Sequence, residues 1–401
     1  MLKYDEALRT VEDEFGKIKL EAEEIELCDA LNWTLAEDIF ADVNLPPFNN
    51  SSVDGIAVKF NETTRKWKIV GEISAGNYSE VKLNENSAVM IMTGAKIPNY
   101  CDTVIPLEEY ELKNGSAKLN DTAVIKPGMN IRLKGSDVKE GELVLKKGVQ
   151  LNPTNIAAAA SCGKSRLKVF NKLKLVVLAT GDELIKVEEK PTGDKIRLSN
   201  NYGICAAING LNQHATNLGF VNDDRNVFKN KIENLLSSGV DVLITTGGVS
   251  VGKYDFVKEA LEEIGVKRKF HKANIKPGKP VYLGIYEKDE KIIPVIGLPG
   301  NPVSSMVGFY VFIKPAIEKL YNQESAVTIS AVLQDDLKKN DSKRHFLRGI
   351  LYKEKNEWKV TAKLSQSSGN IVEMSRANCL IVIEERKLNP AKGEAVECIQ
   401  I

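Results

Sequence analysis

A chain of 401 residues is longer than one hydrophobic core ordinarily serves, and at roughly 150 residues per domain it divides into two to four. The balance of 55 Lys and Arg against 54 Asp and Glu leaves a net charge of +1, without the basic surplus of a general nucleic-acid binder. Hydrophobic residues at 43% and charged residues at 27% exclude a disordered chain.

The cysteines (Cys28, Cys101, Cys162, Cys205, Cys379, Cys398) form no CxxC pair and no cluster with metal-ligand spacing. They read as reduced, mostly buried thiols of a cytosolic protein. Three histidines (His214, His271, His345) give no basis for a His-based zinc site. The start, MLKYDEALRTVEDEF, is acidic and amphipathic and has no apolar signal core. No apolar run approaches the roughly 18 residues a bilayer span requires. The expectation is a soluble, cytoplasmic protein with no membrane and no nucleic-acid partner.

In chain order, Leu8, Val11 and Phe15 predict a short helix over 3–15. From about 24 to 150 the pattern is short strands broken by turns, such as IVGEISAG (69–76) and the turn KNGS (113–116). In LNPTNIAAAASCG, Asn152 or Thr154 is placed to cap a short helix that Gly163 ends. The rhythm changes after residue 170. LKLVVLAT (173–180) and DVLITT (241–246) are near-continuous apolar runs, as in strands covered on both faces. Helices are predicted after Ser199, over about 226–238 and in DFVKEALEEIG; strands VYLGIY and IIPVIG and a long helix after Pro302 complete the series. This alternation implies a mostly parallel, three-layer α/β domain at about 170–320. Beyond 325, AVTISAVL, HFLRGILY, EWKVTAKL, CLIVIE and AVECIQI predict a small β-barrel or sandwich.

Ligands of an open α/β sheet bind outside the carboxyl ends of its strands, and unusual loops fall there. ATGDEL (179–184) puts Asp182 and Glu183 at a strand tip, suited to Mg²⁺ beside a phosphate or, more plainly, to complementing a helix dipole. TTGGVSVGKYDF (245–256) carries Gly247, Gly248 and Gly252, which let backbone N–H groups converge on an anion, and adds Asp255 as a second carboxylate. It is neither a GxGxxG nor a Walker loop, and CGKS at 162–165 is no Walker loop because Ala158 stands where its first glycine belongs. KPGKP (276–280) and GLPGNPVS (297–304) are stiffened by Pro277, Pro280, Pro299 and Pro302. Lys276 and Lys279 are then two cations on a rigid loop suited to a small oxyanion, a solvated turn being the plainer alternative. Taken singly, the polar turn LPPFNNSSVDGIAV (45–58), IMTGAKIP (91–98) with Thr93, HFLRG with Arg348 and QSSGN (366–370) read as structural.

Together, LPPFNNSSVDG, IMTGA, NIRLKGSD, TGDEL, TGGVSVG, KPGKP and GLPGNPVS resemble, in order, the motifs of the MoeA family of molybdopterin molybdenumtransferases, which includes the E domains of gephyrin and plant Cnx proteins. The resemblance implies a three-layer α/β molybdopterin-binding domain (169–322), an N-terminal region (1–168) with an elongated part at 1–44 and 140–168 and a β-rich insert at about 45–139, and a C-terminal β-barrel (323–401). It implies Mg²⁺-dependent insertion of molybdate into adenylated molybdopterin with release of AMP. The sulfur ligands come from the pterin, in keeping with unclustered cysteines.

By resemblance, Glu183 and Asp255 match the Mg²⁺ ligands, and Gly247, Gly248, Val249, Ser250 and Gly252 the cradle for pterin or phosphate. Lys276, Lys279, Pro280 and Ser304, with Pro299 and Pro302, match the molybdate side, and Arg348 and Ser368 the C-terminal positions near that anion. Asp54, Thr93, Arg132 and Asp137 match functional positions of the N-terminal part, and Asp223 or Asp224 a carboxylate of the α/β domain; the catalytic set is taken with Asp224. The family's dimer, in which one subunit's N-terminal region completes the other's site, is expected, with an adenylyltransferase supplying substrate and molybdoenzyme-maturation proteins as further partners. Departures stand at Asn49 for an acid, Ile56 for a tyrosine, Leu198 in LSN, Lys253 for an acid and Lys343 for an arginine. Two other readings are a scaffold on the same fold, for which no clustering domain is visible, and a nucleotide pyrophosphatase, against which KPGKP and the C-terminal strands argue.

Overall fold

Six consecutive buried residues, Leu175 to Thr180, make strand β1 (Lys174–Thr180) the covered centre of a six-stranded sheet in the structure, a computed structural model describing residues 1–248, 256–288, 291–323 and 328–401. Its side chains alternate between faces: Leu175 and Val177 join the apolar cluster on one side, Val176 and Leu178 that on the other. The chain continues as α1 (Asn200–Gly210), β2 (His214–Val221), α2 (Arg225–Ser237), β3 (Val242–Thr246), α3 (Phe256–Glu263), β4 (Lys267–His271), β5 (Tyr282–Lys288) and β6 (Lys291–Leu298). The sheet order is β2-β1-β3-β6-β5-β4, with β2, β1, β3 and β6 parallel and β5 antiparallel to both neighbours. Ile204 and Ile208 of α1 pack on one face; Phe228 and Ile232 of α2 and Val257 and Leu261 of α3 pack on the other. These are the three layers expected. The chain steps from β1 outward to β2 and back across to β3, so a topological switch lies between β1 and β3.

The predicted helix after Pro302 runs as α-helix Pro302–Gly308, a π turn Phe309–Ile313 and α-helix Lys314–Leu320. Lys314 N–H reaches back five residues to Phe309 O. Pro315, next in line, has no N–H and so offers no donor to the Val311 carbonyl four residues back. Tyr4 supplies one, its hydroxyl donating to Val311 O at 3.2 Å. The N-terminal helix Tyr4–Phe15 is thereby pinned to the α/β domain, with Ala7, Val11 and Phe15 in the same cluster.

Ala22–Glu26 pairs antiparallel with Arg166–Phe170, and Ile39–Phe40 with Leu143–Leu145, joining segments far apart in sequence. Between them, six strands from Gly55–Val58 to Ser116–Leu119 form a separate sheet. Asn114 and Gly115 both have positive φ, as the tight hairpin turn requires. Asn152 caps helix Pro153–Ser161 by accepting from Asn155 N–H. At the C-terminal end, Arg344–Glu354, Glu357–Thr361, Ile329–Leu333, Ala395–Gln400 and Cys379–Ile383 pair in sequence around a ring, and the last closes onto the first to make a five-stranded barrel. Cys28 is exposed and the other cysteines are buried, all as free thiols. No helix among the described residues is long and apolar enough to cross a membrane.

Candidate functional site

The parallel strands β1, β3 and β6 end together, so 181–184, 247–248 and 299–302 emerge side by side around a crevice lined by Thr180, Glu183, Leu198, Asn200, Gly247 and Pro302. Gly247 has φ +90°, and a Cβ there would stand 2.5 Å from Thr180 O; one on Gly248, at φ +63°, would stand 2.4 Å from Val257 Cγ2. Only glycine lets this turn lie so low. A Cβ on Gly300 would lie 3.7 Å from Gly247 Cα, which brings the third loop against the second. Val249, Ser250, Gly252 and Asp255, and the departure at Lys253, lie outside the described residues.

Carboxylates gather at one end of the crevice. Asp223 N–H donates to Asp182 Oδ1 at 3.0 Å, and the Asp223 carboxyl is held above its usual range by burial and then by the charges of Asp182 and Glu183. Asp224 is differently employed: its Oδ1 accepts from Asn226 N–H at 2.8 Å and Val227 N–H at 2.9 Å, capping α2. Among the described residues no group of three or more His, Cys, Asp or Glu is arranged to hold a metal ion.

The KPGKP loop joins the crevice to the barrel. Ile275–Lys276 adds to the barrel as a parallel edge strand, opposite Arg344 and His345. A Cβ on Gly278 would lie 3.3 Å from Ser304 O, so the loop backs directly on helix Pro302–Gly308, in which Ser304 is buried. Lys276 Nζ stands 3.6 Å from Asp341 Oδ2. The Lys279 carbonyl accepts from Ala273 N–H and Val281 N–H, and Pro280 leads on into β5. Val303 N–H donates to Ser368 O at 3.1 Å, tying the QSSGN loop to the same helix beside Pro299 and Pro302. Arg348 is 1% exposed, donates to Ser365 O, and exchanges two 3.0 Å hydrogen bonds with Gln366 through its backbone. Its Nε has no partner among the described residues, and burial lowers its pKa. It shapes the loop that carries Ser368.

A second group forms on the β-rich sheet. Asp54 Oδ1 accepts from both the N–H and the hydroxyl of Thr93 at 2.7 Å, and these bonds lower its pKa. A Cβ on Gly55 would meet Ile105 O at 2.0 Å, so the Asp54-Gly55 pair is fixed by a strand crossing too close for any side chain. Arg132 reaches Asp137 at 2.5 Å and pairs by backbone with Asn50. Asn49 Oδ1 accepts from Lys134 N–H at 2.7 Å, so this departure ties the 45–58 turn to the 131–137 segment. The described contacts of these residues stay within the β-rich region. Of the other departures, Ile56 is core, Leu198 puts an apolar wall on the crevice, and Lys343 N–H donates to Asp341.

Two asparagines escape the sequence reading. Asn200 Nδ2 donates to Gly300 O at 2.8 Å, binding α1 to the third loop. Buried Asn201 donates to Gly219 O, Asn217 Oδ1 and Val177 O and accepts from the Thr246 hydroxyl, gathering the ends of β1, β2 and β3. The adjacency in LSNN was visible, but only the three-dimensional neighbours reveal its use.

Fold and loops define a ligand-binding three-layer α/β domain whose crevice is extended by a rigid dilysine loop docked on a closed barrel. Three family models cover the chain in order: MoeA N-terminal region (domain I and II) at 2–163, a probable molybdopterin binding domain at 176–319, and MoeA C-terminal region (domain IV) at 330–401. A molybdopterin molybdenumtransferase of Haemophilus influenzae is 36% identical over 94% of this chain and 93% of its own length. The one from Bacillus subtilis is 31% identical over 99% and 93% respectively. The crystal structure of the molybdopterin biosynthesis MoeA protein from Pyrococcus horikoshii OT3 superimposes with a TM-score of 0.84 at 27% identity, over 100% of both chains. The chain belongs to the MoeA family of molybdopterin molybdenumtransferases, enzymes of molybdenum cofactor biosynthesis.

Proposed function

We propose that this chain carries out Mg²⁺-dependent insertion of molybdate into adenylated molybdopterin, with release of AMP. One observation supports it above the rest: segment 299–304 touches both halves of the needed machinery, Gly300 lying against the Gly247 turn and Ser304 against the KPGKP loop. A phosphate-bearing ligand in the crevice and an oxyanion at the lysines would thus be neighbours.

The carboxylate end fits a hard cation. Asp223 is raised first by burial and then by the charges of Asp182 and Glu183, and a divalent ion would offset that second contribution. Mg²⁺ keeps several waters and uses one or two protein carboxylates, so Glu183 with Asp255 would hold it, and the ion would supply charge neutralisation to the phosphates. The remaining roles belong to the chain itself. Lys276 and Lys279 attract the molybdate dianion, with Pro280 and Ser304 shaping its seat. Gly247 and Gly248 let phosphate or pterin approach the backbone. Arg348 and Ser368 hold the loop over the anion. Asp182 fixes the 223 turn, and Asp224 supports α2.

Asp54, Thr93, Arg132 and Asp137 would act across a homodimer interface, completing the crevice of the other subunit. An adenylyltransferase would supply the substrate, molybdoenzyme-maturation proteins would receive the product, and the setting would be the cytoplasm. Purified protein given molybdopterin adenylate and Mg²⁺ should release AMP only once molybdate is added. Absence of release, or release indifferent to molybdate, would contradict the proposal.

A further inference from the structure

Asp341 stands on the turn before barrel strand Arg344–Glu354, beside the edge strand that carries Lys276. Four groups converge on its carboxylate. Lys343 N–H donates to Oδ1 at 3.0 Å and His345 Nε2 lies 2.8 Å from the same oxygen. Lys276 Nζ is 3.6 Å and Lys343 Nζ 3.9 Å from Oδ2. The Lys276 contact is therefore an ion pair without a hydrogen bond, and the lysine side chain is 57% exposed. Such a pair exchanges readily, because its Coulomb gain is small in high dielectric.

We propose that Asp341 is a specificity-determining counter-anion for Lys276: its carboxylate holds the lysine in the anion-free protein and yields it when an oxyanion enters. This rests on the reading of Lys276 as part of the oxyanion seat. Burial pushes the Asp341 carboxyl up, but the Lys343 N–H, His345 and Lys343 hold it down to about 2, so it is ionised throughout the neutral range. An entering monoanion only replaces one negative charge at Lys276 by another. A dianion adds one, so the exchange favours molybdate over chloride-like ions. The turn also has ties that the carboxylate does not supply: buried Lys339 donates from Nζ to Asp341 O at 2.8 Å and to Glu385 O at 2.9 Å, and its N–H donates to Asn389 Oδ1 at 2.9 Å.

The test is calorimetric titration with sodium molybdate of the full-length protein and its Asp341→Asn, Lys276→Ala and doubly substituted variants. Asp341→Asn should tighten molybdate roughly three- to tenfold and make chloride a better competitor, and Lys276→Ala should abolish that gain. Asp341→Ser, shorter and equally neutral, should move affinity in the same direction. A merely structural Asp341 would give weaker binding in both neutral variants, and unchanged or weaker binding in both overturns the proposal. If Lys276→Ala leaves wild-type affinity unchanged, the oxyanion reading of Lys276 falls and the proposal with it. If Lys276→Ala weakens binding but neutral variants at 341 do not tighten it, the counter-anion role alone fails.

Discussion

Replacing Asn201 by alanine should loosen the floor of the crevice. The side chain is fully buried; its Nδ2 donates to Gly219 O at 2.8 Å, Asn217 Oδ1 at 3.0 Å and Val177 O at 3.3 Å, and its Oδ1 accepts from Thr246 Oγ1 at 3.2 Å. Asn217 Oδ1 keeps a second donor, the Gly219 N–H at 2.9 Å, so its loss is partial. The buried Thr246 hydroxyl and the half-buried Gly219 carbonyl lose this donor–acceptor pairing, and a buried group left unsatisfied costs about 1–3 kcal/mol, a half-buried one less. With a small void added, local stability should fall by about 2–4 kcal/mol. Asn201→Asp keeps the shape but turns a donor into an acceptor facing acceptors, and should cost at least as much. Native-state amide exchange read at the ends of β1, β2 and β3 reports the local free energy directly. A loss below about 1 kcal/mol in Asn201→Ala, with exchange unchanged at Gly219 and Thr246, would refute the reasoning.

Asp224→Ala should cost about 1 kcal/mol of α2 stability through its lost cap, seen as faster exchange in the first turn, while an Asp223 substitution leaves that turn unchanged. Gly55→Ala should destabilise the β-rich sheet by about 2 kcal/mol or more, because its Cβ would stand 2.0 Å from a strand carbonyl; a lowered melting temperature of that region checks it. For Asp341, the folded pKa of about 2 lies below the ordinary 3.8, so its stabilisation is present above about pH 4 and lost as pH falls toward 2. The stability difference between wild type and Asp341→Asn, measured by urea unfolding, should therefore shrink across that window.

The buried strands were legible because both faces of β1 and β3 are covered, which writes continuous apolar runs into the sequence. Edge strands β2 and β4 were not, since HATNLGFV is largely half-exposed, KRKFH largely exposed, and both carry mixed polarity. The helix after Pro302 was visible, but its π turn was not, nor was the bond that Val311 O accepts from a tyrosine far away in the chain. KPGKP could be read as rigid and cationic; its pairing with the barrel could not, because that contact is set by residues 344 and 345. Arg348 was expected beside an anion, and its strand was plain, yet only the fold reveals that it is buried beneath the loop it shapes. Asn201 left no periodic signal at all.

The central claim is that the lysine loop and the crevice serve one coupled reaction. Its most direct measurement is AMP released and molybdenum incorporated per chain, followed together on molybdopterin adenylate with Mg²⁺ and molybdate, in wild type and in the Lys276→Ala/Lys279→Ala variant. Equal amounts of AMP and pterin-bound molybdenum in wild type, and neither in a still-folded variant, are predicted. AMP released by the variant as fast as by wild type would contradict the account.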